Sequence, residues 1–206
     1  MISIDDIKIY LPQYLSASEQ DQLFGEIRKF PFNLDSRFYS YPLTREETIY
    51  QGDGVKDLLI INLPDQRLGS LPSMIISNTC DIDPTNKRYF QARVLYSPIF
   101  VLEKYENLLI SQFVNTGKIS KQNIESHIAT IKKQEITQIL YLPEGCGIES
   151  ESIVFLDRIN NCPAESLYKE GNEKIFTLSN YGFYILLIKL SIHFTRVREG
   201  ISRFTS

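Results

Sequence analysis

The chain has 206 residues, of which 43% are hydrophobic and 23% are charged. These values are ordinary for a globular domain and exclude disordered and fibrous proteins. The length is sufficient for one large hydrophobic core, and we interpret residues 1–206 as a single domain. The formal net charge of −3 gives no overall attraction to nucleic acid or to an anionic membrane. Any binding of that kind therefore requires a local basic patch.

Three cysteines, Cys80, Cys146 and Cys162, are present without a C-x-x-C spacing. This odd number indicates reduced thiols in a cytoplasmic protein, and with only two histidines beside them no structural zinc site is expected. The N-terminus lacks the basic and apolar regions of a signal peptide, and the longest apolar run, over 181–188, is too short to span a membrane. We therefore expect a cytoplasmic protein with no metal, no cofactor and no membrane partner.

The first quarter of the chain predicts one helix between less regular segments. Residues 2–11 alternate loosely and predict a short strand or an extended arm. Residues 16–19 match the capping box that begins many helices, and the apolar residues that follow at helical spacing predict an amphipathic helix over 16–29. The aromatic connector over 38–50 is expected to contribute edge strands. We interpret residues 1–50 as an N-terminal addition to the main fold.

The middle of the chain predicts an antiparallel meander. Short apolar runs over 55–63, 73–77 and 90–101 are separated by turn signals, and residues 64–72 are predicted to be a loop. Further strands are predicted at 136–142, 151–159 and 174–178. The fold class that results is α+β: a bent, barrel-like antiparallel sheet from residues 52–101 and 136–178, a helical insertion over 102–135, and a long C-terminal helix over 179–204.

The order of these strands and turns resembles the MazF/PemK type of toxin. The resemblance is carried by three runs of sequence: L-L-I-I-N-L-P-D with G-S-L-P-S-M-I-I-S-N, then R-V-L-Y-S-P-I, then I-L-Y-L-P-E-G-C-G-I-E-S-E-S-I-V-F-L-D-R-I. It covers about residues 52–100 and 137–200, and it implies an SH3-like barrel. It also implies a bacterial toxin–antitoxin or phage-defence system, with RNA or a protein as the partner and a homodimer as a candidate assembly.

The chain departs from this family at the residues that cut RNA. Family members have an arginine before the first proline and a threonine after the proline-isoleucine step, where this chain has Leu71 and Phe100. Neither side chain can bind a phosphate or transfer a proton. We therefore expect a nucleic-acid- or protein-binding module that does not cleave RNA. The alternative is an active endoribonuclease with displaced catalytic residues, for which Arg67, Arg93 and Ser97 are the candidates.

The strongest candidate site follows the predicted buried strand over 73–77. Its binding candidates are Asn78, Thr79, Asp81 and Asp83, and Cys80 is a weaker candidate for a catalytic nucleophile. The two aspartates could contact a ligand, but these residue types are also those of an Asx-type turn that closes a strand end. On the structural interpretation we expect Asp81 to be buried and to accept backbone N–H hydrogen bonds.

Basic residues recur on one side of the predicted C-terminal helix. Lys189, His193 and Arg196 are binding candidates there, because such a stripe can dock an acidic partner or a nucleic-acid backbone. The alternative is a solvated face that interacts favourably with the helix dipole.

A second basic segment, around Arg88 and Arg93, is interleaved with aromatic residues in the way of single-strand binders. Strand alternation would place its aromatic residues on two faces, so we expect several of them, among Tyr89, Phe90 and Tyr96, to lie in the core. His127 is expected to be partly exposed and to have no ligand role.

Overall fold

A computed structural model of the chain describes residues 16–64, 67–168 and 172–195. The predicted N-terminal arm and the end of the predicted C-terminal helix lie outside these residues. Within them, strands and helices combine in an α+β fold, as predicted. The helices are α1 (Ala17–Lys29), α2 (Tyr41–Thr44), α3 (Thr79–Ile82), α4 (Leu102–Leu109), α5 (Lys121–Lys132) and α6 (Asn180–Thr195). A π-helical turn (Ile110–Val114) extends α4, and two 3-10 turns are Ser36–Phe38 and Ala164–Tyr168.

The strands form one curled, barrel-like sheet in which every recorded pairing is antiparallel, which confirms the predicted architecture. The order along the sheet is β4-β5-β3-β2-β1-β7, and β6 pairs with β3 beside this path. The bounds are β1 (Gly54–Asn62), β2 (Arg67–Ile75), β3 (Arg93–Val101), β4 (Ile139–Leu142), β5 (Ser152–Phe155), β6 (Asn160–Pro163) and β7 (Lys174–Phe176).

Side-chain hydrogen bonds from β3 and β6 reach the outer part of β1, beyond the residues Gly54 and Val55 that pair with β7. The Tyr96 hydroxyl donates a hydrogen bond to the Leu59 carbonyl at 2.5 Å, and the Ile61 N–H donates to Asn160 Oδ1 at 2.9 Å. A β-bulge near the start of β1, with Asp57 at φ 57°, increases the local bend of the strand. These contacts hold the β1–β2 hairpin against β3 and β6.

Three apolar clusters fill the fold. The first lies between the sheet, α1 and α6, the second lies under the β1–β2 hairpin, and the third joins the insertion helices α4 and α5 to β4 and β5. The insertion is therefore helical, as predicted, and it covers one part of the sheet. Burial of these apolar side chains is the main source of stability.

Helices α1 and α6 show how local signals and close packing cooperate. The capping box is formed: Ser16 accepts from the Glu19 N–H, and Glu19 accepts from the Ser16 N–H, which confirms the predicted helix start. Near the start of α6, Gly182 lies against the Phe38 carbonyl oxygen, which a side-chain Cβ would overlap. The absence of a side chain at Gly182 thus allows α6 to pack directly on the Ser36–Phe38 turn.

Three predictions of secondary structure are wrong. The connector over 38–50 forms short helical turns and one isolated bridge between Tyr39 and Leu178 instead of edge strands. Most of the predicted loop over 64–72 belongs to β2. Pro72 is tolerated there because β2 pairs with β3 only from Ser73 onward. The predicted strand over 151–159 ends at Phe155, and the polar segment after it forms β6, which long-range pairing with β3 stabilises.

A buried ion pair fastens the connector to the sheet. Lys174 Nζ lies 3.1 Å from Asp53 Oδ2, and both side chains are almost inaccessible to solvent. The same ammonium group donates hydrogen bonds to the carbonyls of Leu43 and Thr48 and lies 5.0 Å from the centre of the Tyr50 ring. Burial raises the pKa of Asp53 to about 6, against the lowering effects of the Tyr50 N–H and of Lys174.

Candidate nucleic-acid interface

The segment after β2 is held by its own polar side chains. Asn78 begins α3 by accepting the Cys80 N–H at 2.9 Å, and Asp83 accepts the Thr85 N–H at 2.8 Å. The Thr79 hydroxyl accepts the N–H of Gln51 at 3.0 Å. Asn78, Thr79 and Asp83 therefore act as turn and capping residues, in agreement with the structural interpretation of this segment.

The expectation that Asp81 is buried is wrong. Its side chain is 64% exposed, and its Oδ1 lies 3.1 Å from an Arg88 nitrogen. The helical turn directs Ile82 into the core and leaves Asp81 on the outside, while Asn78 accepts the Cys80 N–H at the start of the turn. The carboxylate is thus a surface ion-pair partner.

We expect Asn78→Ala to lower the free energy of unfolding by about 0.5–2 kcal/mol, because the first turn of α3 loses its cap. Asp81→Ala removes only an exposed ion pair and should cost less than about 1 kcal/mol. Urea denaturation of the two variants measures both values. A larger loss for Asp81→Ala than for Asn78→Ala would contradict this assignment of roles.

Arg88 folds back over this turn and fixes the chain that follows. One of its guanidinium nitrogens donates to the Cys80 carbonyl at 2.8 Å as well as to Asp81, and the Asn86 amide donates to the same carbonyl at 2.7 Å. The guanidinium carbon lies 5.9 Å from the centre of the Phe90 ring. These contacts therefore fix the segment that carries Phe90 against helix α3, which precedes it in the chain.

The basic-aromatic loop, residues 87–93, exposes its aromatic rings. Tyr89 is fully exposed and Phe90 is 69% exposed, so the expectation that several aromatic residues of this segment are core residues holds for Tyr96 alone. Arg93 is exposed, and its Nε donates to Asn161 Oδ1 at 2.6 Å. The strand β3 begins only at Arg93, so strand alternation does not direct Tyr89 or Phe90 inward.

The charge of this region differs from that of the whole chain. Residues 77–93 contain three basic residues and two acidic ones, which gives a formal charge of 3 − 2 = +1, whereas the whole chain carries −3. The basic members are Lys87, Arg88 and Arg93. The region therefore carries a small excess of positive charge on a chain that is acidic as a whole.

The structure does not assemble the displaced catalytic residues into one site. Ser97 is fully buried, and its hydroxyl donates to the carbonyls of Phe155 and Arg158, so it is inaccessible to a substrate. Arg67 lies at the outer end of the β1–β2 hairpin opposite Asn62, and Arg93 is bonded to Asn161. Cys80 is an exposed free thiol whose backbone carbonyl, rather than its sulfur, makes the contacts described above.

The predicted basic stripe on the C-terminal helix is wrong for Lys189. This residue is only 5% exposed, and its ammonium group donates to the carbonyls of Gln134 and Ile136 at 2.9 and 2.7 Å. Burial lowers the pKa of Lys189 to about 7. His193 is half-buried with its ring against Phe194, and Arg196 lies outside the described residues.

A polar cluster that the sequence did not reveal lies on the helical insertion. The Tyr105 hydroxyl and His127 Nε2 are 3.1 Å apart, and Arg158 stacks nearby on the ring of Phe155. These residues are separated by 22 and 31 positions along the chain, so no spacing signal could have connected them. Among the residues that the structure describes, no group of three His, Cys, Asp or Glu side chains is arranged to hold a metal ion.

Comparisons with known proteins give no assignment. No protein-family model matches the chain, and no curated protein matches it. Of the helices in the described part of the chain, none has the length and apolar character needed to cross a bilayer.

Proposed function

We propose that this protein binds single-stranded nucleic acid, with RNA as the expected ligand, through the basic-aromatic loop. The observation that carries the proposal is the exposure of Tyr89 and Phe90 beside Lys87 and Arg93. Two strongly exposed aromatic rings at adjacent positions in one loop present apolar surface of the kind that interaction sites use. Single-strand binders combine these two features, stacking bases on aromatic rings while cations contact the backbone phosphates.

The fixed position of Phe90 supports this proposal. Arg88 holds the loop through hydrogen bonds to the α3 turn, so the ring is ordered before a base arrives and less conformational entropy is lost on binding. In this proposal, Lys87 and Arg93 contact the backbone phosphates of the bound strand. Because such contacts release counterions, affinity should fall steeply as the salt concentration rises.

The resemblance to MazF/PemK toxins supports the cellular setting that we propose. We place the binding activity in a bacterial toxin–antitoxin or phage-defence system, in a reducing cytoplasm that suits an exposed free Cys80 thiol. The burial of Ser97 and the presence of Leu71 and Phe100 at the family's catalytic positions favour binding without RNA cleavage. They count against the endoribonuclease alternative.

A protein partner is the second candidate, and one observation favours it. The β1–β2 hairpin bears three apolar side chains exposed on the same side, because residues of like parity on a strand and their cross-strand partners share a face. Exposed apolar patches of this kind mark protein interaction sites. The three residues are Leu59, Ile61 and Leu68.

The binding proposal is tested by fluorescence anisotropy with a labelled single-stranded RNA of mixed sequence. We expect Tyr89→Ala and Phe90→Ala each to weaken binding by roughly ten- to a hundredfold, because each removes one stacked base. Phe32, which is 93% exposed and lies outside the loop, supplies the matched control, and Phe32→Ala should bind as the wild type does.

The same samples, analysed on a denaturing gel, report whether RNA is cut. We expect the RNA to remain intact. Wild-type affinity in the Tyr89→Ala/Phe90→Ala double variant, or no binding by the wild type at low salt, would refute the proposal. Cleavage that Arg93→Ala abolishes would establish the endoribonuclease alternative instead.

A further inference from the structure

The polar cluster on the helical insertion brings three elements of the fold together. Tyr105 comes from α4, His127 from α5, and Arg158 from the turn between β5 and β6. The Tyr105 ring packs edge-on against Phe155 with centroids 5.5 Å apart, and the Arg158 guanidinium carbon lies 3.9 Å from the centre of the same ring. Tyr105 and Arg158 thus both pack on the ring of Phe155, and Tyr105 contacts His127 directly.

Arg158 is exposed yet held in place. Its guanidinium also lies 5.6 Å from the centre of the Phe100 ring. Its backbone N–H donates to the Phe155 carbonyl, and its own carbonyl accepts from Ser97. Within the described ranges, no carboxylate pairs with this guanidinium. Its planar donors are therefore ordered and remain available to an anion from solvent.

Tyr105 and His127 complete a set of donors. When His127 is protonated, Nε2–H donates to the Tyr105 oxygen, and the phenol O–H is then free to donate outward. Burial lowers the pKa of His127, and the positive charge of Arg158 opposes the rise in the pKa of Tyr105 that burial causes. A bound anion would offset the desolvation of the imidazolium and raise the pKa of His127.

We propose that Arg158, Tyr105 and His127 form a phosphate-binding site. A guanidinium fork, together with a phenol hydroxyl that a protonated His127 leaves free to donate, matches the several acceptor oxygens of a phosphate group. The site is separate from the basic-aromatic loop, and the inference does not depend on the function proposed for that loop. Two sources of the group are possible in the cell, a free phosphate or mononucleotide and the backbone of a nucleic acid, and both present the same oxygen atoms.

Proton NMR of the full chain tests the proposal, because the sequence contains only two histidines. His127→Gln assigns the two sets of imidazole C–H resonances, and His193 is the internal control. The protein is titrated with inorganic phosphate, with adenosine monophosphate and with a short single-stranded RNA, and with sodium chloride at matched ionic strength. We expect a saturable shift of the His127 resonances, a raised pKa of His127 in phosphate, and no corresponding change at His193.

Arg158→Gln and Tyr105→Phe separate binding from folding. Each should retain dispersed spectra and weaken phosphate binding, by about tenfold or more for Arg158→Gln, since a charge-assisted interaction is lost. Tyr105→Phe keeps the ring contact with Phe155 and serves if Arg158→Gln fails to fold. Response to phosphate or mononucleotide identifies the free group as the source, and response to RNA alone identifies the backbone. A shift no larger than that in chloride, or one that both variants retain, would overturn the proposal.

Discussion

Asp53→Ala is expected to lower the free energy of unfolding by about 3–5 kcal/mol, because it leaves a buried ammonium group without its counter-charge. Lys174 retains the carbonyls of Leu43 and Thr48 as acceptors, but carbonyl dipoles do not neutralise a charge. The Tyr50 N–H also loses the acceptor that it has at 2.8 Å in the wild type. Chemical denaturation followed by circular dichroism measures the loss.

A double-mutant cycle distinguishes the ion pair from general packing. Lys174→Met leaves the Asp53 carboxylate buried and unpaired, whereas the Asp53→Ala/Lys174→Met variant removes both charges. The double variant should therefore be more stable than the sum of the two single losses predicts. Additive losses would show that the two side chains do not interact energetically. The exposed pair Lys56 and Glu173 supplies a control cycle, for which we expect additive losses and no measurable coupling.

The pH dependence of this pair has a defined sign. The pKa of Asp53 rises from 3.8 to about 6 in the folded state, so between these values the folded protein binds more protons than the unfolded chain. The stabilisation that comes from this extra bound proton is therefore fully present below the unfolded-state pKa and is lost as the pH rises through about 6, while the carboxylate still pairs with Lys174 above that pH. The stability difference between the wild type and Asp53→Asn should fall across this window.

Lys189 should make the protein more stable as the pH rises above 7. Burial lowers its folded-state pKa from 10.5 to about 7, so between these values the unfolded chain binds more protons than the folded protein does. The free energy of unfolding then increases with pH by up to about 1.4 kcal/mol per unit. Below pH 7 the ammonium group is charged in both states, and the full cost of burying it opposes folding.

The measurement compares the wild type with Lys189→Met, a replacement of similar length without a charge. Because other groups also titrate at alkaline pH, the relevant quantity is the difference in unfolding free energy between the two proteins. We expect the wild type to gain roughly 2–3 kcal/mol relative to this variant between pH 7 and pH 9. The exposed Lys121 provides the control, and Lys121→Met should show no such trend. A flat difference for Lys189→Met would mean that the ammonium group stays solvated.

Asp53 and Lys189 explain why the sequence predicts helices and strands better than it predicts the electrostatic roles of single residues. Lys189 belongs to an apolar helix and was assigned to its surface, since a lysine is rarely buried without a partner. Its partners, the Gln134 and Ile136 carbonyls, lie more than fifty residues away at the end of the helical insertion. Asp53 lies between Gly52 and Gly54, a pattern that indicates a turn, and its partner Lys174 is likewise distant in sequence. In both cases the electrostatic role arises from a long-range contact.

The candidate interface also combines a feature that the sequence indicates with one that depends on long-range contacts. Basic and aromatic residues are mixed in the sequence around Arg88, so its composition indicated single-strand binding. Whether the rings of Tyr89 and Phe90 point into the core or into solvent depends on where β3 begins, and this depends on pairing of Arg93 with Pro163 in β6. The order of the residues does not contain that information.

The sequence by itself determined the α1 start, the insertion helices, the antiparallel meander and the α+β class, because each follows from contacts within a few residues or from the period of the apolar side chains. Tertiary structure decided the extension of β2, the pairing of β6, the burial of Lys189 and the cluster of Tyr105, His127 and Arg158. The physical reason is that burial and long-range hydrogen bonding depend on which distant segments meet. A local pattern is compatible with several such arrangements, and only packing of the whole chain selects one.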